Sequence, residues 1–376
     1  MKKINAIIMS MLIVLSYLAV LSPISAATLD VGAGKTYETI QDAIEEASEG
    51  DVIEVYSGTY NEDLNITKDN LVLKSATGAN VKIKDIEYNS SFPHINITGN
   101  NVKLNGFTIE GPEVPDGNCS KGIVVLGTDI EISKNTFVSF GKGACVVIQT
   151  DSDSNLSFRD VSGLNIHDNN FQGNPVDGFI GIKINYTDPK YSTLPVNIQK
   201  NSFTGNTLYA IVTERSNTNV INNQMSSSGI STIESTGVLI SEATKKPQEG
   251  VNVYGNIIKN FNTAGIIVGG DSQVLKNINI NNNLIQNNQI GIKARSSASG
   301  IKINNNTILS NIKYEVQNTD GYTLDARLNW WGSNAGPVRS KISGNVTYLP
   351  WVKYSEFPES SISKILKKNQ DKKNSK

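Results

Sequence analysis

Three stretches set the fold: Val253-Tyr-Gly-Asn256-Ile-Ile258, Ile280-Asn-Asn-Asn283-Leu-Ile285 and Ile303-Asn-Asn-Asn306-Thr-Ile308. Each reads aliphatic-x-x-Asn-x-apolar. Upstream the pattern recurs at Ile132/Asn135/Phe137, Ile166/Asn169/Phe171, Ile198/Asn201/Phe203 and Val220/Asn223/Met225. Val102/Asn105/Phe107 reads as its first copy and Leu328-Asn329-Trp330-Trp331 as its last. Steps between the asparagines run 30, 34, 32, 22, 33, 27, 23 and 23 residues. A repeat of roughly 20–30 residues made of short strands is the mark of a stacked solenoid. A small residue opens a second strand in each unit: Gly122, Gly181, Ala210, Gly237, Gly265 and Gly291. Side chains alternate across a strand, so Ile182/Ile184, Val238/Ile240 and Ile266/Val268 are expected to point inward.

The asparagines have a physical task in such a stack. A bend between strands leaves backbone groups unpaired, and Asn bonds nearby backbone while tolerating turn conformations. Stacked copies can also bond one another as an amide ladder. Asn135, Asn169, Asn201, Asn223, Asn256, Asn283, Asn306 and Asn329 are the expected ladder. Each Asn→Ala change is expected to cost on the order of 1–3 kcal/mol.

Around this repeat, Lys2 and Lys3 precede the apolar run Ile7 to Leu21, and Ser25-Ala26-Ala27 offers small residues for cleavage. Residues 1–27 read as a secretory signal, with an uncleaved anchor as the alternative. No later stretch is apolar enough to span a bilayer. Thr39-Ile40-Gln41-Asp42 opens a short helix, with Ile40, Ala43, Ile44 and Ala47 on one face and Gly50 as its stop. Laid over the first coil, it would cover exposed aliphatics and edge amides. Trp330 and Trp331, then Tyr348, Pro350 and Trp351, supply bulk to close the other end. Net charge is −1, which gives no basic excess for nucleic acid. Cys119 and Cys145 lie about one repeat apart and either pair or pack as two thiols.

With those residues in view, Tyr37-Glu38-Thr39-Ile40-Gln41-Asp42-Ala43-Ile44, Gly50-Asp51-Val52-Ile53-Glu54-Val55 and Gly58-Thr59-Tyr60-Asn61-Glu62 resemble the opening block of right-handed parallel β-helix proteins of the pectin-lyase type. Asn329-Trp330-Trp331-Gly332-Ser333-Asn334-Ala335-Gly336-Pro337 resembles the closing block of secreted and surface β-helix repeat proteins. The resemblance implies an all-β, right-handed parallel β-helix with an N-terminal capping helix and a C-terminal cap. Residues 28–94 would be the cap and first coils, 95–352 the repeats with their closing cap, and 353–376 a basic flexible tail.

Such folds host lyases, hydrolases, esterases and adhesins, so activity must be sought in residues. The paired aspartates and Leu-Gly-Arg-Pro arginine of pectin methylesterases are missing. Asn318-Thr319-Asp320 matches one element of polygalacturonase-like hydrolases, without the Asp-Asp pair or Gly-His-Gly. His167-Asp168 could serve as a base but has no nucleophile nearby. Two histidines and two scattered cysteines form no zinc or copper constellation. What remains is a column of polar residues past each second strand: Asp151, Asp153, Asn185, Asp188, Glu214, Arg215, Glu242, Asp271 and Arg295. Asp188, Glu214, Arg215, Glu242, Asp271 and Arg295 are the ligand-binding candidates. Glu242 and Asp271 could share a calcium ion, and Arg215 or Arg295 could face a uronate. Val212, Leu239 and Ile267 would form an outward aliphatic stripe, either exposed to a partner or covered by the insertions 186–196 or 241–250. The expected protein is secreted or held at the cell surface, adhesin-like, and binds polysaccharide or cell-wall glycan along its flank. It requires no cofactor. The competing expectation is a polysaccharide lyase or glycoside hydrolase acting on acidic glycans.

Overall fold

The computed structural model describes residues 26–85, 93–111, 121–140, 145–150, 160–173, 178–186, 193–228, 234–241, 248–269, 275–295 and 300–353. Residues 1–25 of the signal segment, all but the first residue of the basic tail, Cys119, Asp151, Asp153, Asp188, Glu242 and Asp271 lie outside these residues, as does the side chain of Cys145. Three parallel sheets run the length of the molecule, with 13, 11 and 10 strands among the described residues. The chain visits them in turn. Val251–Tyr254 lies in sheet A, Ile257–Lys259 in sheet B, and Ala264–Val268 in sheet C. The next circuit begins at Ile278–Asn281, paired in register on the strand before it. This is a right-handed parallel β-helix, coiled around a single core of aliphatic and aromatic side chains.

The repeat encodes its own bends. The residue before each ladder asparagine sits in the left-handed region: Lys134 at φ 56°, Asn222 at 55°, Gly255 at 69° and Asn282 at 55°. Asn, Asp and Gly reach that region at least cost, which accounts for Asp168, Asn222, Gly255, Asn282 and Asn305 at this point, while Lys134, Lys200 and Leu328 adopt it as well. A second bend, between sheets B and C, repeats the device at Ser139, Asn260, Asn287 and Ser310, with φ from 57° to 66°. The apolar residue two after each ladder asparagine then points into the core. Phe137, Phe171 and Phe203 stack there, with centroids 4.7 and 4.5 Å apart.

The small residue of the second strand is explained by contact. A Cβ on Gly265 would lie 2.8 Å from the Gly291 carbonyl oxygen and 2.9 Å from Asn288 Nδ2. On Gly291 it would lie 2.4 Å from the Glu315 carbonyl oxygen. At Gly265 and Gly291 the next coil leaves no room for more than hydrogen.

Both ends are closed. Helix α1 (Ile40–Glu46) buries Ile40, Ala43 and Ile44 over the first coil. Thr39 Oγ1 accepts from the Asp42 N–H, and the Glu62 carboxylate accepts from the N–H groups of Ile40 and Gln41 at 2.9 and 2.8 Å. The helix ends at Ala47, ahead of Gly50, so the glycine forms the following turn and not the stop. At the far end Trp330 and Trp331 are each 6% exposed. Trp351 lies over Gly336 and donates from Nε1 to the Asn334 carbonyl.

Candidate functional site

The eight asparagines form an unbroken buried ladder. Asn256 is typical: its Oδ1 accepts from the Asn223 N–H at 2.8 Å and from Asn223 Nδ2 at 3.0 Å. Its Nδ2 donates to the Val220 and Tyr254 carbonyls and to Asn283 Oδ1. The same exchange links Asn135 to Asn169, Asn201 and Asn223, and runs on through Asn306 to Asn329. Asn105 is not part of it. Strand register sets Leu104 beside Ile132 and Ile109 beside Phe137, so Phe107 occupies the ladder place. Asn105 points outward two residues early and donates to Ser133 Oγ. The Phe107 N–H still donates to Asn135 Oδ1, which ends the ladder there.

A second buried ladder was not visible in the repeat. The Phe261 N–H donates to Asn288 Oδ1, and Asn288 donates to Asn311 Oδ1. Asn311 Nδ2 in turn donates to Glu315 Oε2 at 2.5 Å. Burial raises the Glu315 carboxyl above its ordinary range, against the pull of the Asn311 bonds. The Asn287-Asn288 pair and Asn311, each just after a strand of sheet B, were the available sequence signal.

The lateral surface is organised by the outer face of sheet C. Register places Asn65, Asn96, Val124, Gln149, Lys183, Val212, Leu239, Ile267, Lys293 and Gln317 in one row. Its middle is not open. Val212 is 4% and Ile267 2% exposed, while Leu239 is half-buried. The aliphatic stripe is therefore covered and is not a free surface. Polar groups stand on either side of it.

On one side, Lys183 Nζ lies 3.9 Å from Glu214 Oε1. Burial raises the Glu214 carboxyl, with Lys183 opposing. Gln149, beside Lys183 in the row, is buried and its Nε2 has no hydrogen-bond partner. On the other side are Lys293, Arg295, Lys313 and Tyr314. Burial pulls the Lys293 ammonium down, and Arg295 and Lys313 add to that through like charge while Glu234 opposes. Lys313 Nζ stands 5.5 Å from the centroid of the Tyr314 ring.

Of the polar column past sheet C, the described residues include Asn185, Glu214, Arg215 and Arg295. The N–H groups of Glu214, Ser241, Gly269 and Arg295 each donate to the strand before them, which sets these four in one file. Glu214 and Arg295 are thus on the same edge, with Ser241 and Gly269 between. Arg215 turns inward and faces no solvent. It is the largest fully buried side chain. Its guanidinium donates to the carbonyls of Ser216, Asn217 and Leu194 and to Ser162 Oγ, tying neighbouring coils together. Burial lowers its pKa to about 10, with Asp160 opposing. The reason is positional: an outward Glu214 leaves the next side chain pointing in.

Two other expectations resolve locally. Asn318 of the Asn-Thr-Asp triplet donates to the Tyr322 and Asn345 carbonyls and so serves a turn. His167 is held between Asp168 (Nδ1 to Oδ2, 2.7 Å) and Glu131 (Nε2 to Oε1, 3.3 Å) on the outside of sheet A.

No protein-family model and no curated protein matches the sequence. Solved structures do match. An A-module of a mannuronan C-5 epimerase from Azotobacter vinelandii superposes with TM-score 0.52 at 15% identity, over 82% of this chain and 93% of that one. The tailspike of E. coli bacteriophage HK620, solved in complex with a pentasaccharide, gives 0.53 at 12% identity over 81% of this chain and 60% of its own. A PL6 family alginate lyase gives 0.52 at 14% identity over 90% of this chain and 56% of its own. At these identities the likeness establishes the pectin-lyase-like parallel β-helix fold.

Proposed function

We propose that this is an exported, adhesin-like β-helix module that binds acidic polysaccharide on the outer face of sheet C. The observation that carries the reading is that Lys293 feels the like charge of both Arg295 and Lys313 at the edge of the covered stripe, where Lys313 stands by the Tyr314 ring. Cationic donors beside an aromatic face suit a polymer of uronate rings, whose carboxylates pair with the cations while the ring face packs on tyrosine. The names of the similar structures, a mannuronan epimerase, an alginate lyase and a tailspike holding a pentasaccharide, support a glycan as partner. Among the described residues no helix is long and apolar enough to cross a membrane.

The test is binding of the protein to alginate, polygalacturonate and a neutral glucan on one array. Binding to the polyuronates is expected, with about a tenfold loss, or about 1.4 kcal/mol, in Lys293→Ala/Arg295→Ala. Equal binding to the neutral glucan, or none lost in the variant, would refute this location. A second reading, a lyase or hydrolase, is favoured by Glu214 alone: a carboxyl raised by burial beside an amine. Unsaturated product absorbing in the ultraviolet during incubation with polyuronates, lost in Glu214→Gln, would decide for it. Calcium at Glu242 and Asp271 belongs to the same proposal, and calcium titration of Glu242→Ala/Asp271→Ala against the parent chain tests it.

A further inference from the structure

His94, Asp63 and Asp85 come together at the first bend from sheet B into sheet C. Asp63 directly precedes the strand Leu64–Ile66, and His94 lies in Pro93–Ile97, its register neighbour on the next coil. Asp85 directly follows Val81–Lys84 of sheet B. One donor atom from each of the three lies within 4.8 Å of the others. His94 Nδ1 is 2.9 Å from Asp63 Oδ1.

Two features separate this cluster from an ordinary group of surface acids. One of its donors is an imidazole, and that imidazole is only 1% exposed, with Asp85 at 6%. In addition, His94 Nε2 is buried without a hydrogen-bond partner. A histidine enclosed among apolar strands usually has both nitrogens satisfied, because an orphaned buried polar atom costs about 1–3 kcal/mol. Among the described residues only the Nδ1 atom of this ring is engaged, by Asp63.

We propose that Asp63, Asp85 and His94 form a binding site for a divalent transition-metal ion. One imidazole and two carboxylates suit manganese, iron or zinc, and the imidazole argues against calcium, which takes oxygen ligands. Adjacent donors on an ion at about 2.1 Å lie roughly 3.0–3.4 Å apart. The 2.9 Å between His94 Nδ1 and Asp63 Oδ1 is slightly shorter and would open on an ion taken between them. Asp63 is the exposed member, its side chain 42% open to solvent, and so gives the ion a way in. Water would complete the coordination. The ion would pin two successive strands of sheet C to the end of sheet B beside the capping helix, so its role is to hold the entry coils together.

The probes are manganese chloride and zinc chloride, each titrated calorimetrically into the metal-stripped full chain, with thermal unfolding followed in parallel. One equivalent of either ion and a raised melting temperature are expected. Both should be lost in His94→Ala and weakened at least about tenfold in Asp63→Asn, which keeps the buried histidine and guards against a folding defect. His167→Ala, the control for the other histidine, should bind as the parent does. Absence of stoichiometric binding in the parent overturns the proposal. So does binding that survives in Asp63→Asn and His94→Ala, or that vanishes in His167→Ala.

Discussion

Replacing Asn256 by alanine tests the physical basis of the fold at one atom. Its side chain is fully buried and makes five hydrogen bonds with neighbouring coils and its own bend. Truncation leaves the Asn223 N–H without its acceptor, while Asn223 Nδ2 keeps the Ile198 carbonyl at 2.9 Å. One fully orphaned donor, weakened neighbours and a small cavity together cost about 3 kcal/mol. Asn279 is the matched control. It belongs to an amide row on the outside of sheet A, where Nδ2 donates to Asn252 Oδ1 at 3.1 Å. Water can replace that bond, so Asn279→Ala should cost less than about 1 kcal/mol. Asn256→Asp keeps one acceptor but turns a carboxylate oxygen toward two carbonyls, so it should be no better than alanine near neutral pH and recover as the carboxyl protonates. The assay is urea unfolding followed by far-ultraviolet circular dichroism. Equal midpoints for Asn256→Ala and Asn279→Ala would refute the claim that burial gives the inner ladder its weight.

Other outcomes follow from the same structure. Arg215→Met should destabilise by about 3–5 kcal/mol, because three carbonyls and a hydroxyl lose a buried charged donor, yet leave polyuronate binding intact once folded; thermal melts and the glycan array read the two effects separately. Glu315 has a folded pKa above its unfolded one, so the native state binds the extra proton and stability falls as pH rises through that interval. Glu315→Gln should therefore raise the melting temperature near neutral pH and lose that advantage below the ordinary carboxylate range; a pH-independent difference would contradict the assignment. Gly291→Ala should cost about 1–3 kcal/mol from overpacking against the Glu315 carbonyl, measurable by urea midpoint.

Much of the fold was legible because a solenoid is written locally. Each coil repeats the same short instruction, and neighbours in space are neighbours one repeat away. The inner ladder could be named residue by residue for that reason, as could the inward Ile182, Val238 and Ile266. The slip at Asn105 shows the limit. Val102-Lys103-Leu104-Asn105-Gly106-Phe107 fits the pattern two residues out of step, and only the pairing of Leu104 with Ile132 and Ile109 with Phe137 sets the register. The helix stop was misassigned to Gly50 for a similar reason, since the turn that follows also needs a left-handed residue.

The lateral chemistry was harder to read, since a residue beyond the last strand position can face either way. Arg215 and Glu214 are adjacent, equally polar, and end on opposite sides of the wall. The cluster of Asp63, Asp85 and His94 draws on two coils and two sheets with irregular spacing, so no motif announces it. Periodicity determined a stacked solenoid of short strands, because aliphatics buried every second residue and a bend at each asparagine repeat from coil to coil, while the right-handed β-helix was implied by the resemblance of the two end blocks. Tertiary structure decided which charges meet, because that depends on where each connecting segment rejoins the stack. Segments of unequal length displace the polar residues by amounts the repeat does not record.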